Sequence, residues 1–406
     1  MKIVSESSER ERGVTRRGLM GAGLAALTLT GCNSTATEAP MFGAAAPTPP
    51  PTPAAPAATG PTVGEALGSG PVRVGMILPL TQNGAPSPVG ASMRNAAQLA
   101  IEDYAGPYIT LMIQDDHSTP DGAAQAAQAD IGAGAELILG PVYATDVRQA
   151  ASVAKAAGKP MIAFSTDASV ASPGVYLLSF LIEGYVDRIA EFAVSRGKKS
   201  FAVMAPQSEY GNIALAEFQQ TAGRLNTPVV VIARYAPGDA NSAAQQVAAV
   251  GNQIDALFIP EQAEGMPAVA TALATNGIKT QLLGTGVWND PRVLRLPQLQ
   301  GAWFAAPASE GFNSLKQRYK AKFGSEPVRL ASLSYDAVTL AAALGRNAES
   351  GRYAPAALTS VSGFNGADGV FRFRAEGTNE RGLAVMEIDD NAATVISPAP
   401  RSFAAG

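Results

Sequence analysis

Residues 135–169, AELILGPVYATDVRQAASVAKAAGKPMIAFSTDAS, constrain the fold more than any other part of this chain. An apolar run, Leu137-Ile138-Leu139, stops at Gly140-Pro141, and a stretch with helical spacing follows. A second run, Pro160 to Phe164, then ends in Ser165-Thr166-Asp167. Short runs that are apolar on both faces suit strands covered on both sides, and a helix between two of them makes a parallel βαβ unit. In open α/β folds ligands bind outside the carboxyl ends of the strands. The stretch therefore predicts an α/β architecture with a cleft at those ends.

The same pattern runs through the body of the chain. Residues 72–80 read as a first strand, and Ser87 with Pro88 behind it reads as a helix start, cap followed by proline. Residues 109–113 form the next predicted strand, and Thr119-Pro120-Asp121 opens the next helix. The alternation restarts at residues 201–205 and continues through 229–234, 254–260 and 281–284, which predicts a second lobe of similar build. Beyond residue 363 the apolar residues alternate, as in an antiparallel hairpin. A length of 406 residues leaves room for two such lobes. The expected layout is lobe 1 over 71–184, lobe 2 over 185–305, a return to lobe 1 over 306–360, a return to lobe 2 with a hairpin over 361–396, and a tail over 397–406.

The amino terminus reads as an address. Residues 1–31 carry Arg16-Arg17 and then an apolar stretch too short for the roughly 20 residues that span a bilayer, which fits a twin-arginine-like export signal. Leu29-Thr30-Gly31-Cys32 resembles a lipoprotein box, with Cys32 as the lipidated residue. The Pro/Ala/Thr-rich segment over 32–70 has no periodic apolar face and reads as an extended tether. A membrane partner is thus expected only through the lipid anchor, on the periplasmic side of the outer membrane.

Net charge excludes one class of partner: at −4 the chain has no basic excess for nucleic acid. Enzymatic chemistry finds little material. The sequence has no GxSxG, HExxH or CxxC pattern, one cysteine committed to the anchor and one histidine, His117. No catalytic residue, metal site or cofactor is expected; Asp115-Asp116 beside His117 suits a solvated, helix-capping loop. The residues just past strand ends are better candidates for binding: Tyr143, Ala144, Thr145, Ser165, Thr166, Tyr210, Glu261 and Trp288. Hydroxyls and helix-start amides there suit a small polar ligand, with an aromatic wall. Each has a plainer role open to it: helix capping for Thr145 and Ser165, packing between lobes for Tyr143 and Trp288, solvent exposure for Glu261.

Taken together, Gly75-Met76-Ile77-Leu78-Pro79-Leu80-Thr81, Asp115-Asp116, Gly140-Pro141, Tyr210-Gly211 and Phe364-Asn365-Gly366 resemble the type I periplasmic binding proteins of the leucine/isoleucine/valine-binding class. That resemblance implies two lobes, each a mostly parallel sheet flanked by helices, with crossovers between them and a cleft for a small amino acid. Residues 162–167, 170–171 and 174–177 further resemble the penicillin-binding-protein activator branch of outer-membrane lipoproteins, which implies a non-enzymatic regulator of a peptidoglycan synthase. The alternative is a solute-binding protein of an ABC transporter for a branched-chain or other small amino acid.

Overall fold

A computed structural model describes residues 64–104, 106–347 and 351–403. Cys32, the export signal and most of the expected tether lie outside these residues. The last residues assigned to the tether do not behave as one. Glu65–Leu67 is an edge strand, antiparallel to Ile109–Asp115, and Glu65 pairs with Arg94 on the first helix.

The first sheet runs in the order Glu65–Leu67, Ile109–Asp115, Val72–Leu78, Leu137–Leu139, Met161–Ala163, Val175–Leu177. All pairs but the first are parallel. Leu137–Leu139, Met161–Ala163 and Val175–Leu177 are buried at every residue, as strands covered by helices on both faces must be. Capping chemistry sets the helices between them. Ser87 Oγ accepts from Gly90 N–H at 3.2 Å ahead of Pro88–Asp103, and Thr119 Oγ1 accepts from Gly122 N–H at 3.1 Å ahead of Pro120–Gly132. Gly140 closes the strand Leu137–Leu139 with φ +84°, and a Cβ there would stand 2.0 Å from the Ile77 carbonyl oxygen. Only glycine fits that close approach.

The second sheet runs Val229–Tyr235, Phe201–Pro206, Ala256–Phe258, Gln281–Gly284, Trp303–Ala306, Ala384–Asp389, Ala392–Ser397. Its first five strands are parallel, and the closing pair is antiparallel, the hairpin expected from the alternating tail. Two hydrophobic clusters fill its two faces, one around Trp288 and Phe304, the other around Phe218 and Phe258.

The chain crosses between the sheets after Val175–Leu177, after Trp303–Ala306 and again before Ala384–Asp389. Between the last two crossings, helices Ser309–Phe323 and Ala331–Gly345 pack on Pro88–Asp103 of the first lobe. A small antiparallel sheet, Phe364–Gly366, Gly369–Phe373 and Asn379–Arg381, follows. The sequence pattern assigns residues 361–381 to the second lobe, but Phe371 and Phe373 are buried in the first-lobe core, with Phe373 against Tyr176 at 5.4 Å between ring centroids. The return to the second sheet begins only at Ala384 because the aromatic face of this small sheet finds its partners in the first lobe. The result is a two-lobed α/β fold with mostly parallel sheets flanked by helices.

Candidate functional site

A cavity of about 780 Å³ lies between the lobes, at their crossings. Ligand pockets are typically about 300–1,000 Å³, lined by apolar and aromatic groups with a few polar ones, and this one fits that description. Thr166 reaches it from the end of the first-lobe strand Met161–Ala163, and Tyr210 from the start of the second-lobe helix Glu209–Arg224. Phe180 and Tyr185 come from the first crossing, Phe312 from the second, and Arg329 from the loop before Ala331–Gly345.

The sequence-predicted residues divide sharply. Thr166 and Tyr210 meet at the cavity. The Tyr210 hydroxyl shares a 2.6 Å hydrogen bond with Thr285 Oγ1, and burial pushes its pKa up to about 12, so it stays a neutral hydroxyl. Tyr143, Ala144 and Thr145 stand at the start of Ala144–Ala156, outside the cavity lining; Thr145 Oγ1 donates to Asp146 Oδ1 at 3.0 Å. Ser165 is buried, and its Oγ accepts from Asp167 N–H at 3.1 Å, which fixes the turn that presents Thr166.

Glu261 and Trp288 are corrections. Trp288 is fully buried in the second-lobe core, and its Nε1 donates to the Glu261 carbonyl at 3.3 Å. The ring fits because Gly284 has no Cβ, which would otherwise stand 2.2 Å from it. Glu261 is buried too, with Oε2 accepting from Tyr235 O–H at 2.7 Å and Oε1 from Gln262 N–H at 2.8 Å. Neither side chain faces the cavity; each is occupied within its own lobe.

Arg329 is the charged cavity residue that sequence reasoning missed. Its guanidinium is bidentate to Asp368, with Nη1 to Oδ2 at 2.9 Å, and lies 4.4 Å from the Phe180 ring and 4.2 Å from the Phe312 ring. Phe180 also carries the guanidinium of Arg381 at 4.8 Å, and Arg381 lies 5.6 Å from Phe371. Arginine and aromatic side chains thus alternate from Phe312 to Phe371 along the junction of the lobes, each contact a cation–π interaction. Behind them, burial first and the Asp368 charge second push Asp336 up to about 7. No motif announces this cluster. An arginine between two helices reads as a solvated charge until the chain's crossings bring the phenylalanines to it.

Among the described residues, no set of three or more His, Cys, Asp or Glu is arranged to hold a metal ion. His117 sits in an exposed turn beside Thr81 and Asp115 rather than at the cavity, whereas Asp116, expected to be solvated, is buried with Oδ1 accepting from Ser118 N–H at 2.8 Å. The cavity's chemistry is that of recognition: hydroxyls, aromatic faces and fixed charge.

The family model for periplasmic binding proteins matches residues 71–393. No curated protein gives a significant match. Solved structures share the architecture. A Rhodospirillum rubrum protein assigned to a branched-chain amino acid ABC transporter is 21% identical, with 80% of this chain and 99% of that one covered, at a TM-score of 0.73. A substrate-binding protein from Desulfitobacterium hafniense in complex with leucine is 18% identical over 80% and 99% of the two chains, at 0.59. A solute-binding protein from Rhodopseudomonas palustris in complex with 3,4-dihydroxybenzoic acid is 20% identical over 81% and 98%, at 0.56. With the family model spanning both sheets and the cavity between them, this chain belongs to the type I periplasmic binding proteins.

Proposed function

We propose that this protein is the solute-binding component of an ABC-type transporter and captures a small organic ligand between its lobes on the periplasmic side of the membrane. The observation that carries the reading is the cavity of about 780 Å³, where Thr166 of one lobe and Tyr210 of the other reach the same space. A site built from both halves gains its full set of contacts only when the halves come together, which is how a receptor couples ligand to shape. The family and the ABC-transporter neighbours support the same reading.

The expected regulator of a peptidoglycan synthase would be favoured by a cleft plugged with Tyr143 or Trp288. Trp288 is in the core and Tyr143 lies outside the cavity lining. That expectation now rests on Cys32 and the tether, with Cys32 as the proposed lipid attachment point.

Isothermal titration of the purified chain with small carboxylates and amino acids tests the proposal. A ligand with a Kd in the micromolar range or below is expected. Tyr210→Phe and Thr166→Ala should each weaken it by about tenfold, the scale of one lost hydrogen bond in a desolvated site. A ligand whose affinity ignores both substitutions would place binding elsewhere.

A further inference from the structure

We infer that the cavity selects an organic anion without a free ammonium group, a carboxylic acid with an apolar or aromatic body, and that Arg329 receives its carboxylate. This rests on the reading of the cavity as the solute site. Among the described residues, the only acid lining the cavity is Asp290, and it is already engaged. Its Oδ1 accepts from Arg292 N–H at 2.8 Å and from Nε at 3.0 Å, while Oδ2 accepts from Nη2 at 2.8 Å. An incoming ammonium would meet no free carboxylate and would lose its hydration without replacement.

The cations lie differently. Arg329 is held from behind by Asp368, which is fully buried, while its own side chain remains 42% exposed at the cavity wall. Nη1 also donates to Ser332 Oγ at 2.9 Å, so Asp368 and Ser332 take one edge of the guanidinium, and the donors left for a carboxylate are Nε–H and one N–H of Nη2. Lys316 adds a second cation to the lining, with Glu326 at 2.8 Å as its partner. Under Phe180, both Nη atoms of Arg381 are buried without a hydrogen-bond partner. Arg329 and Arg381 therefore face Asp368 and Asp336, and burial pushes the Asp336 carboxyl toward its neutral form.

Backbone dipoles point the same way. Helices Ile182–Ser195 and Ser309–Phe323 both begin at the cavity, and neither first turn has a side-chain cap. With no N-cap side chain accepting from them, these first-turn N–H groups favour negative charge nearby. The acids in those turns, Glu183 and Glu310, do not line the cavity. Phe180, Phe312, Val287 and Leu294 supply a wall for the apolar body.

The test is a matched ligand series on one carbon skeleton, titrated into the purified chain: 3-phenylpropanoate, phenylalanine, 3-phenylpropanamide and 2-phenylethylamine, with 4-methylpentanoate and leucine as an aliphatic pair. The acids should bind at least about tenfold more tightly than their amino-acid counterparts, and the amide and amine more weakly still. Removing Arg329 alone would strand Asp368 in the core, so the informative variant is the double substitution Arg329→Gln with Asp368→Asn. It should weaken the acids by about tenfold or more and leave the amide unchanged. Arg329→Lys, which keeps the charge and loses the fork, should fall between. An amino acid that binds as tightly as its acid, with Tyr210→Phe weakening it, overturns the anion selectivity and leaves the solute-binding reading standing. No binding by any member overturns the anion selectivity, and the solute-binding reading is then decided by the wider titration with small carboxylates and amino acids. The ranking of ligands on the unaltered chain decides the matter even if the double variant fails to fold.

Discussion

Asp130 sits in the first-lobe core under Gly75, where Gln114 Nε2 donates to one carboxylate oxygen at 3.3 Å and the other has no partner. Burial pushes its pKa up to about 7 from the usual 3.8. Between those two values the folded chain holds a proton that the unfolded chain has released, so the stability this proton confers is lost as pH rises through that window and the loss levels off above about 7. Inside the window, a rise of one in pH removes at most about 1.4 kcal/mol through this one carboxyl. Asp116 and Asp336 are pushed to about 7 by the same cause and steepen the same fall. Asp130→Asn, uncharged at every pH, should flatten the profile: urea midpoints at pH 5 and pH 8 should lie closer together than in the unaltered chain. Asp130 also marks what a sequence hides at this scale, because within a helix beginning Pro120-Asp121 it reads as one more surface acid. Trp288 is the converse case. An aromatic residue just past a strand end resembles a pocket wall, and only the space left by Gly284 shows that it turns inward.

Helix starts and buried strands are the most legible elements, since both are decided by near neighbours. Ser87 and Thr119, each with a proline behind it, cap where their chemistry says they should. Ser87→Ala should lower stability by about 1 kcal/mol, measurable by denaturant titration, since Gly90 N–H would lose its acceptor inside the packed first lobe. The strand runs Leu137–Leu139 and Met161–Ala163 are equally plain. The small sheet from Phe364 to Arg381 is visible as alternation, but its lobe is not. Period-two spacing fixes which residues share a face and says nothing about which distant surface that face will meet. The same holds for the cavity. Thr166 and Tyr210 lie beside strand ends and can be found from sequence, whereas Arg329, Phe180 and Phe312 become neighbours only through the crossings.

On the scale of the whole molecule, the chain passes between the lobes three times, and the lobes are expected to unfold together. Both tryptophans, Trp288 and Trp303, belong to the second lobe, so their fluorescence reports that lobe alone, while far-ultraviolet circular dichroism reports both. The two signals should give coincident urea transitions. A gap between the midpoints would show lobes that unfold separately.

The alternating series of rings and guanidinium groups at the junction also has a place in the order of synthesis. Phe180 emerges from the ribosome long before Arg329, Phe371 and Arg381, and the first lobe waits for helices Ser309–Phe323 and Ala331–Gly345 to cover it. Contacts so far apart along the chain are the slow ones to form. A nascent chain stopped at residue 300 would carry most strands of both sheets yet leave apolar surface bare and the cavity without Phe312, Lys316 and Arg329. The cavity is therefore completed almost last, as the carboxyl-terminal hundred or so residues close over work begun at the other end.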